Sequence, residues 1–399
     1  MKLFDVYPLY DVTPVKAKDV YVYDENGTEY LDLYGGHAVI SIGHGHPHYV
    51  EKIKNQLDQI GFYSNAIQNP LQHELAKAIG HQSCCTNYQL FLCSSGAEAI
   101  ENALKLASFK TNKKRVIAFK NAFHGRTSAA VAVTDNPNIN SPLNKQQKVS
   151  FLSFNDTDSL EKELKKGDVC AVIFEAIQGV GGLDEPSETF VYDMDRLCKQ
   201  HGACLIADEV QSGFGRTGTF FSYQKYRIEP QIVTMAKGMG NGFPIGGILV
   251  HPNIEAKYGM LGTTFGGNHL ACAAGLAVLN TVEEENLIDN VKKVSDYFIS
   301  EAKKIPQIKN IKGRGLMLGL EFDFEVSELR KNLIYEHHVF TGGASNKKLI
   351  RILPPLTVTT GHIDAFFVAL KSALLRLAIL FLHLCNNFEM ASFSIIIRF

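Results

Sequence analysis

Short apolar runs alternate with amphipathic segments through the middle of the chain. Residues 97–110 and 188–202 place apolar side chains at helical spacing, and Gly202 is suited to end the second helix. Four other runs are almost continuously apolar: residues 115–120 (RVIAFK), 169–175 (VCAVIFE), 203–209 (ACLIADE) and 231–237 (QIVTMAK). Such runs predict strands buried on both faces. The alternation therefore predicts an α/β fold with a parallel sheet.

Polar residues stand at the ends of these predicted strands. They are Glu175, Asp208, Glu209 and Lys237. Ligands of open α/β sheets bind beyond the carboxyl ends of the strands, so these side chains should converge on one rim. Because side chains alternate along a strand, Asp208 and Glu209 should point in opposite directions.

Lys237 is unusual because it follows an apolar run and precedes a glycine-rich segment, residues 238–247. Burial disfavours the charged form of an amine and lowers its pKa. A lysine at such a place either takes part in chemistry or covers the core with its stem while the ammonium reaches water. The residue by itself leaves both interpretations open.

The segment at residues 91–107, FLCSSGAEAIENALKLA, is a candidate phosphate site. Ser95 and Glu98 have the spacing of a capping box, and Gly96 allows the backbone to approach a ligand. Free amides and the helix dipole could then hold an anion, although a plain helix cap explains the same spacing. Asp208 also has two interpretations. Its carboxylate could keep the ring nitrogen of a pyridine cofactor protonated, or it could cap a loop.

Composition limits the class of protein. The chain has 399 residues, of which 45% are hydrophobic and 20% charged, enough for one large domain and a smaller one. A formal net charge of −1 favours neither nucleic acid nor an anionic membrane, so small-molecule partners are expected. The eight cysteines show no CxxC spacing, so reduced thiols are expected. Reduced thiols and the lack of a visible targeting signal together predict a cytoplasmic protein.

The carboxyl-terminal segment is densely apolar between Leu374 and Cys385. This run is too short to span a bilayer. A buried terminal helix and a segment lying on a membrane surface both remain open, and no membrane partner is predicted.

Seven segments taken together resemble the class III, fold-type I aminotransferases, which use pyridoxal 5′-phosphate. They are residues 30–56, 94–107 (SSGAEAIENALKLA), 123–127 (FHGRT), 207–218 (ADEVQSGFGRTG), 232–247, 263–279 and 350–356 (IRILPPL). The resemblance extends over roughly residues 8–373. Within the family, the chain is similar to the acetylornithine and succinylornithine branch.

The resemblance implies a role for each matching residue around the cofactor. Lys237 would bind it covalently and act as the base, and Asp208 would hold its ring nitrogen. Gln211 would approach its phenolic oxygen while Phe123 stacks on the ring. The phosphate would be held by Ser95, Gly96 and Ala97, and by Thr264 of a neighbouring subunit. This last role implies a homodimer with active sites at the subunit interface.

Substrate-binding roles follow from the same resemblance. Arg126 would bind the α-carboxylate, for which a planar two-pronged donor suits better than lysine. Thr263 would lie beside the substrate, and Arg351 and Tyr10 complete the implied set.

In relatives the segment matching residues 175–182 reads EPxQGEGG, but here it reads EAIQGVGG. The glutamate that pairs with the arginine corresponding to Arg351 is replaced by Val180, so Arg351 should be unpaired.

The implied fold has a large cofactor-binding domain, whose mostly parallel seven-stranded sheet is flanked by helices, and a smaller α+β domain built from both chain ends. The expected divisions are an arm and part of the small domain at 1–44, the large domain at 45–265, the rest of the small domain at 266–375 and an apolar extension at 376–399.

His44, His46 and His48 match a family turn before a helix, so no metal site is predicted.

The implied reaction is transamination between N-acetyl- or N-succinylornithine and 2-oxoglutarate. It gives the N-acyl glutamate semialdehyde and glutamate, as a step of arginine biosynthesis. Ornithine δ-aminotransferase and 4-aminobutyrate aminotransferase remain alternatives. A fold kept only as a binding module is disfavoured because both Lys237 and Asp208 are present.

Overall fold

The computed structural model describes the backbone of residues 1–396 and the side chains of residues 1–379. The strands are β1 Pro14–Lys18, β2 Tyr21–Asp24, β3 Glu29–Asp32, β4 Gln89–Cys93, β5 Arg115–Phe119, β6 Val149–Leu152, β7 Val169–Glu175, β8 Cys204–Asp208, β9 Ile232–Met235, β10 Gly246–Val250, β11 Asn310–Arg314, β12 Met317–Glu321, β13 Val339–Phe340, β14 Gly342–Gly343 and β15 Leu349–Ile352. The helices are α1 Gly35–Ala38, α2 Pro47–Gln59, α3 Pro70–Gln82, α4 Gly96–Thr111, α5 Ser128–Ala132, α6 Thr157–Leu164, α7 Glu188–His201, α8 His269–Glu284, α9 Leu287–Ala302, α10 Ser327–His337 and α11 Thr360–Ile396.

A seven-stranded sheet forms the centre of the molecule, in the order β4-β10-β9-β8-β7-β5-β6. The four apolar runs become β5, β7, β8 and β9, which lie side by side and parallel. Strand β10 is antiparallel to both of its neighbours. The predicted α/β fold with a mostly parallel sheet is therefore confirmed, and its central strands are buried because helices cover both faces.

Helix ends follow the predicted chemistry with one difference. Gly202 adopts a left-handed conformation with φ of 62° and ends α7, as predicted. At the start of α4, the Glu98 N–H donates to Ser95 Oγ at 3.2 Å, which is half of a capping box. The Glu98 carboxylate accepts from the Ser94 N–H at 2.8 Å, one residue before the position that a capping box uses.

Both chain ends contribute to a second hydrophobic core. Val20, Leu31 and Leu33 from the first strands pack with residues of α9, α10 and α11. Two four-stranded sheets border this core, in the orders β1-β2-β3-β13 and β11-β12-β15-β14. The parallel pairing of β3 with β13 joins the two ends of the chain directly. The domain boundaries stated above stay a prediction.

The three alternate histidines have separate surroundings. The His44 Nε2 lies 2.9 Å from an Asp32 oxygen, whereas the His46 Nε2 lies 2.8 Å from Glu285 Oε1. Helix α2 begins at Pro47, directly after His46, so the predicted turn before a helix is confirmed, and His48 lies in the first turn of that helix. In the described part of the chain, no group of three histidine, cysteine, aspartate or glutamate residues is placed to hold a metal ion.

The final helix α11 begins in the second core and runs on to Ile396. Phe366, Leu370 and Leu374 are buried there, and Arg376 pairs with Glu336 of α10 at 2.6 Å. None of the helices that the structure describes is both long enough and apolar enough to cross a membrane. The packing of the apolar segment beyond residue 379 lies outside the described side chains.

Candidate active site

A cavity of about 350 Å³ lies at the carboxyl ends of the central strands, where the sequence places its polar residues. Side chains from β7, β8 and the segment after β9 meet there with the start of α4. The residues of the cavity wall that the sequence singled out are Ser95, Gly96, Ala97, Phe123, Glu175, Val180, Asp208, Gln211 and Lys237. The structure therefore collects residues that are up to 142 positions apart, Ser95 to Lys237, around one space.

Asp208 is the last residue of β8 and is 5% exposed. Its Oδ2 lies 2.6 Å from His124 Nδ1, and its Oδ1 accepts from Thr234 Oγ1 and the Val210 N–H, both at 3.0 Å. Burial opposes protonation of His124, but the hydrogen bond and the charge of Asp208 outweigh burial and raise the pKa of His124. The carboxylate is thus held rigidly by three partners, one of them a buried imidazole.

Glu209 confirms the predicted alternation along the strand. Its carboxylate accepts from the backbone N–H groups of Ser222 and Tyr223, at 2.8 and 2.7 Å, and Glu209 does not line the cavity. Burial raises the pKa of Glu209 to about 7, although these hydrogen bonds oppose the rise. Glu209 therefore supports the loop after β8, while Asp208 faces the cavity.

Lys237 lies just beyond β9 in a left-handed backbone conformation, with φ of 47°. This conformation is uncommon for a residue with a side chain and is found mostly where the surroundings require it. Desolvation lowers the pKa of Lys237, and the charges of Asp208 and Glu175 offset part of this effect. A lowered pKa enlarges the neutral fraction of the amine, which can then accept a proton at Nζ.

Glu175 ends β7 and braces the neighbouring loops. Its two oxygens accept from the Phe123 N–H at 3.0 Å and the Gly179 N–H at 2.9 Å. Burial raises the pKa of Glu175 to about 7, with the charge of His124 opposing the rise. Phe123 is thereby fixed by its backbone at the cavity wall, with its ring available to pack against a planar group.

The start of α4 presents backbone donors to the same cavity. The N–H groups of Gly96 and Ala97 find no acceptor among the residues that the structure describes, as expected for the first turn of a helix. A side chain at position 96 would be obstructed, since a Cβ there would lie 2.6 Å from Val210 Cγ1. Two free amides at a helix start form an anion-binding arrangement.

Gln211 closes the opposite side of the cavity. Its Nε2 donates to the His37 carbonyl at 3.1 Å, and its buried Oε1 has no hydrogen-bond partner. A Cβ on Gly179 would come within 1.9 Å of that oxygen, so the glycine is required for the amide to lie there. An unpaired buried amide oxygen is costly unless a ligand group meets it.

Arg351 lies on β15 behind this wall and is 3% exposed. Its Nη1 donates to the Gly179 carbonyl at 2.8 Å and its Nε to the Gly343 carbonyl at 2.5 Å. The guanidinium forms no ion pair with any of the described side chains. Val180 lies next to Gly179, so the expectation that Arg351 is unpaired agrees with the geometry.

Five predicted site residues do not line the cavity: Arg351, which lies behind its wall, and four others. Arg126 is exposed, two residues after the buried His124. Tyr10 is 37% exposed and lies against Tyr335 of α10. Thr263 borders a separate cleft with Asn65, and Thr264 is exposed. Their predicted roles stay predictions, and that of Thr264 requires a second chain.

Sequence reasoning gave no role to His124 or Thr234, the two side chains that hold Asp208. His124 stands within the FHGRT segment next to Phe123, and its place in that segment could have indicated that it belongs to the site. Thr234 is one of the residues inside an apolar strand, and only the parallel pairing of β8 with β9 places it opposite Asp208.

Comparison with known proteins agrees with this geometry. Residues 6–374 match the family model of class-III aminotransferases. The acetylornithine aminotransferase of Aquifex aeolicus is 39% identical over 93% of this chain and 99% of its own length. The succinylornithine transaminase of Photorhabdus laumondii is 37% identical over 91% of this chain and 93% of its own.

Solved structures show the same fold. The ornithine aminotransferase of Toxoplasma gondii superposes with a TM-score of 0.84 at 28% identity, covering 92% of this chain and 91% of that one. An S-selective transaminase from an Arthrobacter species gives a TM-score of 0.87 at 26% identity, covering 94% and 96%. The family match extends across both hydrophobic cores and every residue of the cavity wall. The chain belongs to the class-III aminotransferases and is a pyridoxal-phosphate-dependent enzyme.

Proposed function

We propose that the protein transfers the terminal amino group of an N-acylated ornithine, N-acetyl or N-succinyl, to 2-oxoglutarate. The products are the N-acyl glutamate semialdehyde and glutamate, and the step belongs to arginine biosynthesis. The observation that carries the proposal is the meeting of Lys237, Asp208 and the start of α4 around one cavity. The named activities of the similar curated proteins support the donor class.

The residues of the cavity fit pyridoxal phosphate on four structural grounds. The free amides of Gly96 and Ala97 suit its phosphate, with the Ser95 hydroxyl beside them. The Asp208 carboxylate suits a protonated ring nitrogen, and the Phe123 ring suits a face of the pyridine. The buried Gln211 Oε1 has no partner of its own. When bound, the cofactor supplies an electron sink and a temporary carrier of the amino group.

The side chains of this protein then have separable tasks. Lys237 accepts and returns a proton at Nζ, because its pKa is lowered by burial. Asp208 keeps a proton on the ring nitrogen, and His124 and Thr234 hold its two oxygens in place. Glu175 fixes Phe123 through the backbone. Arg126 and Arg351 supply guanidinium groups for the substrate carboxylates, with Thr263 and Tyr10 beside them.

A homodimer completes the proposed site. Thr264 belongs to an exposed surface that includes Phe62 and Phe265, whose rings lie 5.4 Å apart and are 44% and 62% exposed. The Asn65 side chain donates to the Thr263 carbonyl at 3.1 Å and joins the two loops of this surface. Large exposed aromatic groups on connected loops favour a protein partner, and a second copy would bring Thr264 to the neighbouring phosphate site. The predicted cytoplasmic location stays a prediction.

A panel of amino donors tests the proposed function. With 2-oxoglutarate as the acceptor, we expect high kcat/KM for N-acetylornithine or N-succinylornithine and low values for ornithine and 4-aminobutyrate. The structural similarity to ornithine aminotransferases makes ornithine the strongest competitor. A clear preference for ornithine or 4-aminobutyrate would contradict the proposal while leaving the aminotransferase assignment in place.

The replacement of a glutamate by Val180 predicts the preferred acyl group. An unpaired buried guanidinium such as that of Arg351 is unfavourable until an anion meets it. The second carboxylate of N-succinylornithine can do so, with a gain on the order of 1.5–3 kcal/mol, or about tenfold to a hundredfold in relative kcat/KM. We expect wild type to favour N-succinylornithine over N-acetylornithine and Val180→Glu to reduce or reverse the ratio, while Val180→Leu serves as the apolar control. If the ratio of kcat/KM between the two donors is the same in wild type, Val180→Glu and Val180→Leu, the argument from Val180 fails.

A further inference from the structure

Two buried carboxyl groups lie side by side in the wall of the cavity. Glu175 ends β7 and pairs in register with Asp208, the last residue of β8. Residues paired in this way on neighbouring parallel strands point to the same side of the sheet, with strands about 4.8 Å apart. Both side chains line the cavity that contains Lys237, and the residues are 7% and 5% exposed. The cavity therefore presents two adjacent acids, whereas a protonated ring nitrogen needs only one.

Such a pair of acids is unfavourable unless cations meet it. Like charges on neighbouring strands repel each other, and burial adds to the cost of each charge. Burial raises the pKa of Glu175 to about 7, and the charge of Asp208 adds to the rise, while the charge of His124 opposes it. The charged form of Glu175 thus depends on the cations around it.

Four charged or titratable side chains face Glu175 from the neighbouring elements. They are His124 after β5, Asp208 on β8, Lys237 after β9 and Arg351 on β15. His124 already has Asp208 as its partner at 2.6 Å, and Arg351 donates to two backbone carbonyls. Lys237 Nζ forms no hydrogen bond or ion pair with any residue that the structure describes. Among these three bases, Lys237 is the one whose charge has no partner in contact with it.

The charge of Glu175 favours a proton on Lys237. Desolvation lowers the pKa of Lys237, and the charges of Asp208 and Glu175 oppose that effect. A protonated ring nitrogen beside Asp208 would balance the charge of that carboxylate. Glu175 would then remain as the acid in the cavity wall that can balance a proton at Nζ, because an opposite charge nearby favours the charged form of an amine.

We propose that Glu175 is a positioning residue of the transamination that acts through its charge: its carboxylate stabilises the proton on Lys237 Nζ each time this amine takes one up. The hydrogen bonds from the Phe123 and Gly179 N–H groups keep the carboxylate in place for this task. The inference rests on the role proposed for Lys237 and not on the identity of the amino donor. It gives Glu175 a task beyond the support of Phe123.

The test is a pH titration of the holoenzyme without substrate, followed by the visible absorbance of the cofactor, which reports the proton on Nζ of the linked lysine. We expect Glu175→Gln to weaken proton binding at Nζ about threefold to tenfold, because a negative charge is lost. The acid limb of the kcat profile should move to lower pH by the same factor, since the neutral amine is the base. Because Glu175 titrates at about pH 7, its effect is present above that pH and fades below it.

Glu209→Gln is the matched control. Glu209 is also buried, its pKa is also raised to about 7 by burial, and it also accepts from two backbone N–H groups, but it does not line the cavity. We expect its loss to lower the thermal unfolding temperature and to leave the midpoint of the titration unchanged. An equal shift of the midpoint in Glu209→Gln and Glu175→Gln overturns the inference.

Glu175→Asp separates the charge from the support of the backbone. Aspartate keeps the negative charge but is one methylene shorter, so it cannot reach both the Phe123 and the Gly179 N–H groups as Glu175 does. We expect its proton affinity at Nζ to stay within about twofold of wild type while its affinity for the cofactor falls. A midpoint that moves as far in Glu175→Asp as in Glu175→Gln, or does not move in Glu175→Gln, leaves Glu175 with a supporting role only and overturns the inference.

A measurement on wild type does not depend on the folding of a variant. Borohydride reduction of the holoenzyme turns the linked Lys237 into an amine that stays protonated near neutral pH. By linkage, this fixed charge should move the titration of Glu175 to lower pH, by about threefold to tenfold in proton affinity, as seen in the infrared absorbance of the carboxyl group. An unchanged titration with the added mass on Lys237 overturns this inference alone. Added mass on another lysine overturns the role proposed for Lys237, and the inference falls with it.

Discussion

The Asp208→Asn variant should keep its fold and lose at least about 10²-fold in kcat for transamination. An asparagine has the shape of aspartate and can still accept from Thr234 and Val210, which now bond to Oδ1. It carries no charge, however, and cannot hold a proton on a ring nitrogen. The loss should therefore fall on turnover more than on the affinity for the donor.

Two comparisons show whether this loss has the proposed cause. Asp193→Asn neutralises a partly exposed aspartate whose partner is Arg196 at 2.8 Å, and we expect it to retain wild-type kinetics. The thermal unfolding temperature of both variants should remain near that of wild type when the cofactor is absent. A fully active Asp208→Asn protein would show that the reacting ring lies elsewhere.

The Lys237→Ala variant should have the larger defect, about 10⁴-fold in kcat, because it removes the amine that moves the proton. The shortened side chain leaves space in the cavity at the position of Nζ. A small primary amine such as methylamine should enter that space and restore part of the activity in proportion to its concentration. Rescue of this kind separates a lost base from a damaged fold.

Lys199→Ala controls for the loss of a lysine as such. Lys199 is exposed on α7 and pairs with Asp195 at 2.7 Å, remote from the strand ends of the cavity. We expect this variant to be as active as wild type, and we expect methylamine to leave its activity unchanged. Near-normal turnover of Lys237→Ala would exclude Lys237 as the base.

The central sheet could be predicted from the sequence because parallel strands buried on both faces leave a simple signal. The four apolar runs became neighbouring parallel strands, and the polar residues at their ends met at one rim. Each of these conclusions depends on local pattern and on the geometry of parallel sheets. The alternation of Asp208 and Glu209 followed in the same way.

Other features depend on contacts between distant segments, which no local pattern carries. Thr234 meets Asp208 only because β8 and β9 pair in one register. Arg351 donates to the Gly179 carbonyl although the two residues are 172 positions apart in the chain. The family resemblance supplied roles for Arg126 and Thr264, but one chain does not bring either residue to the cavity.

The central claim is that Lys237 is the residue to which the cofactor is joined, and borohydride reduction of the holoenzyme tests it most directly. Reduction makes the link stable, and peptide mapping by mass spectrometry then locates the added mass. We predict that it is found on the peptide that contains Lys237 and is absent from the Lys237→Ala protein treated in the same way. Labelling of a different lysine, or no labelling of a protein that has bound the cofactor, would contradict the account.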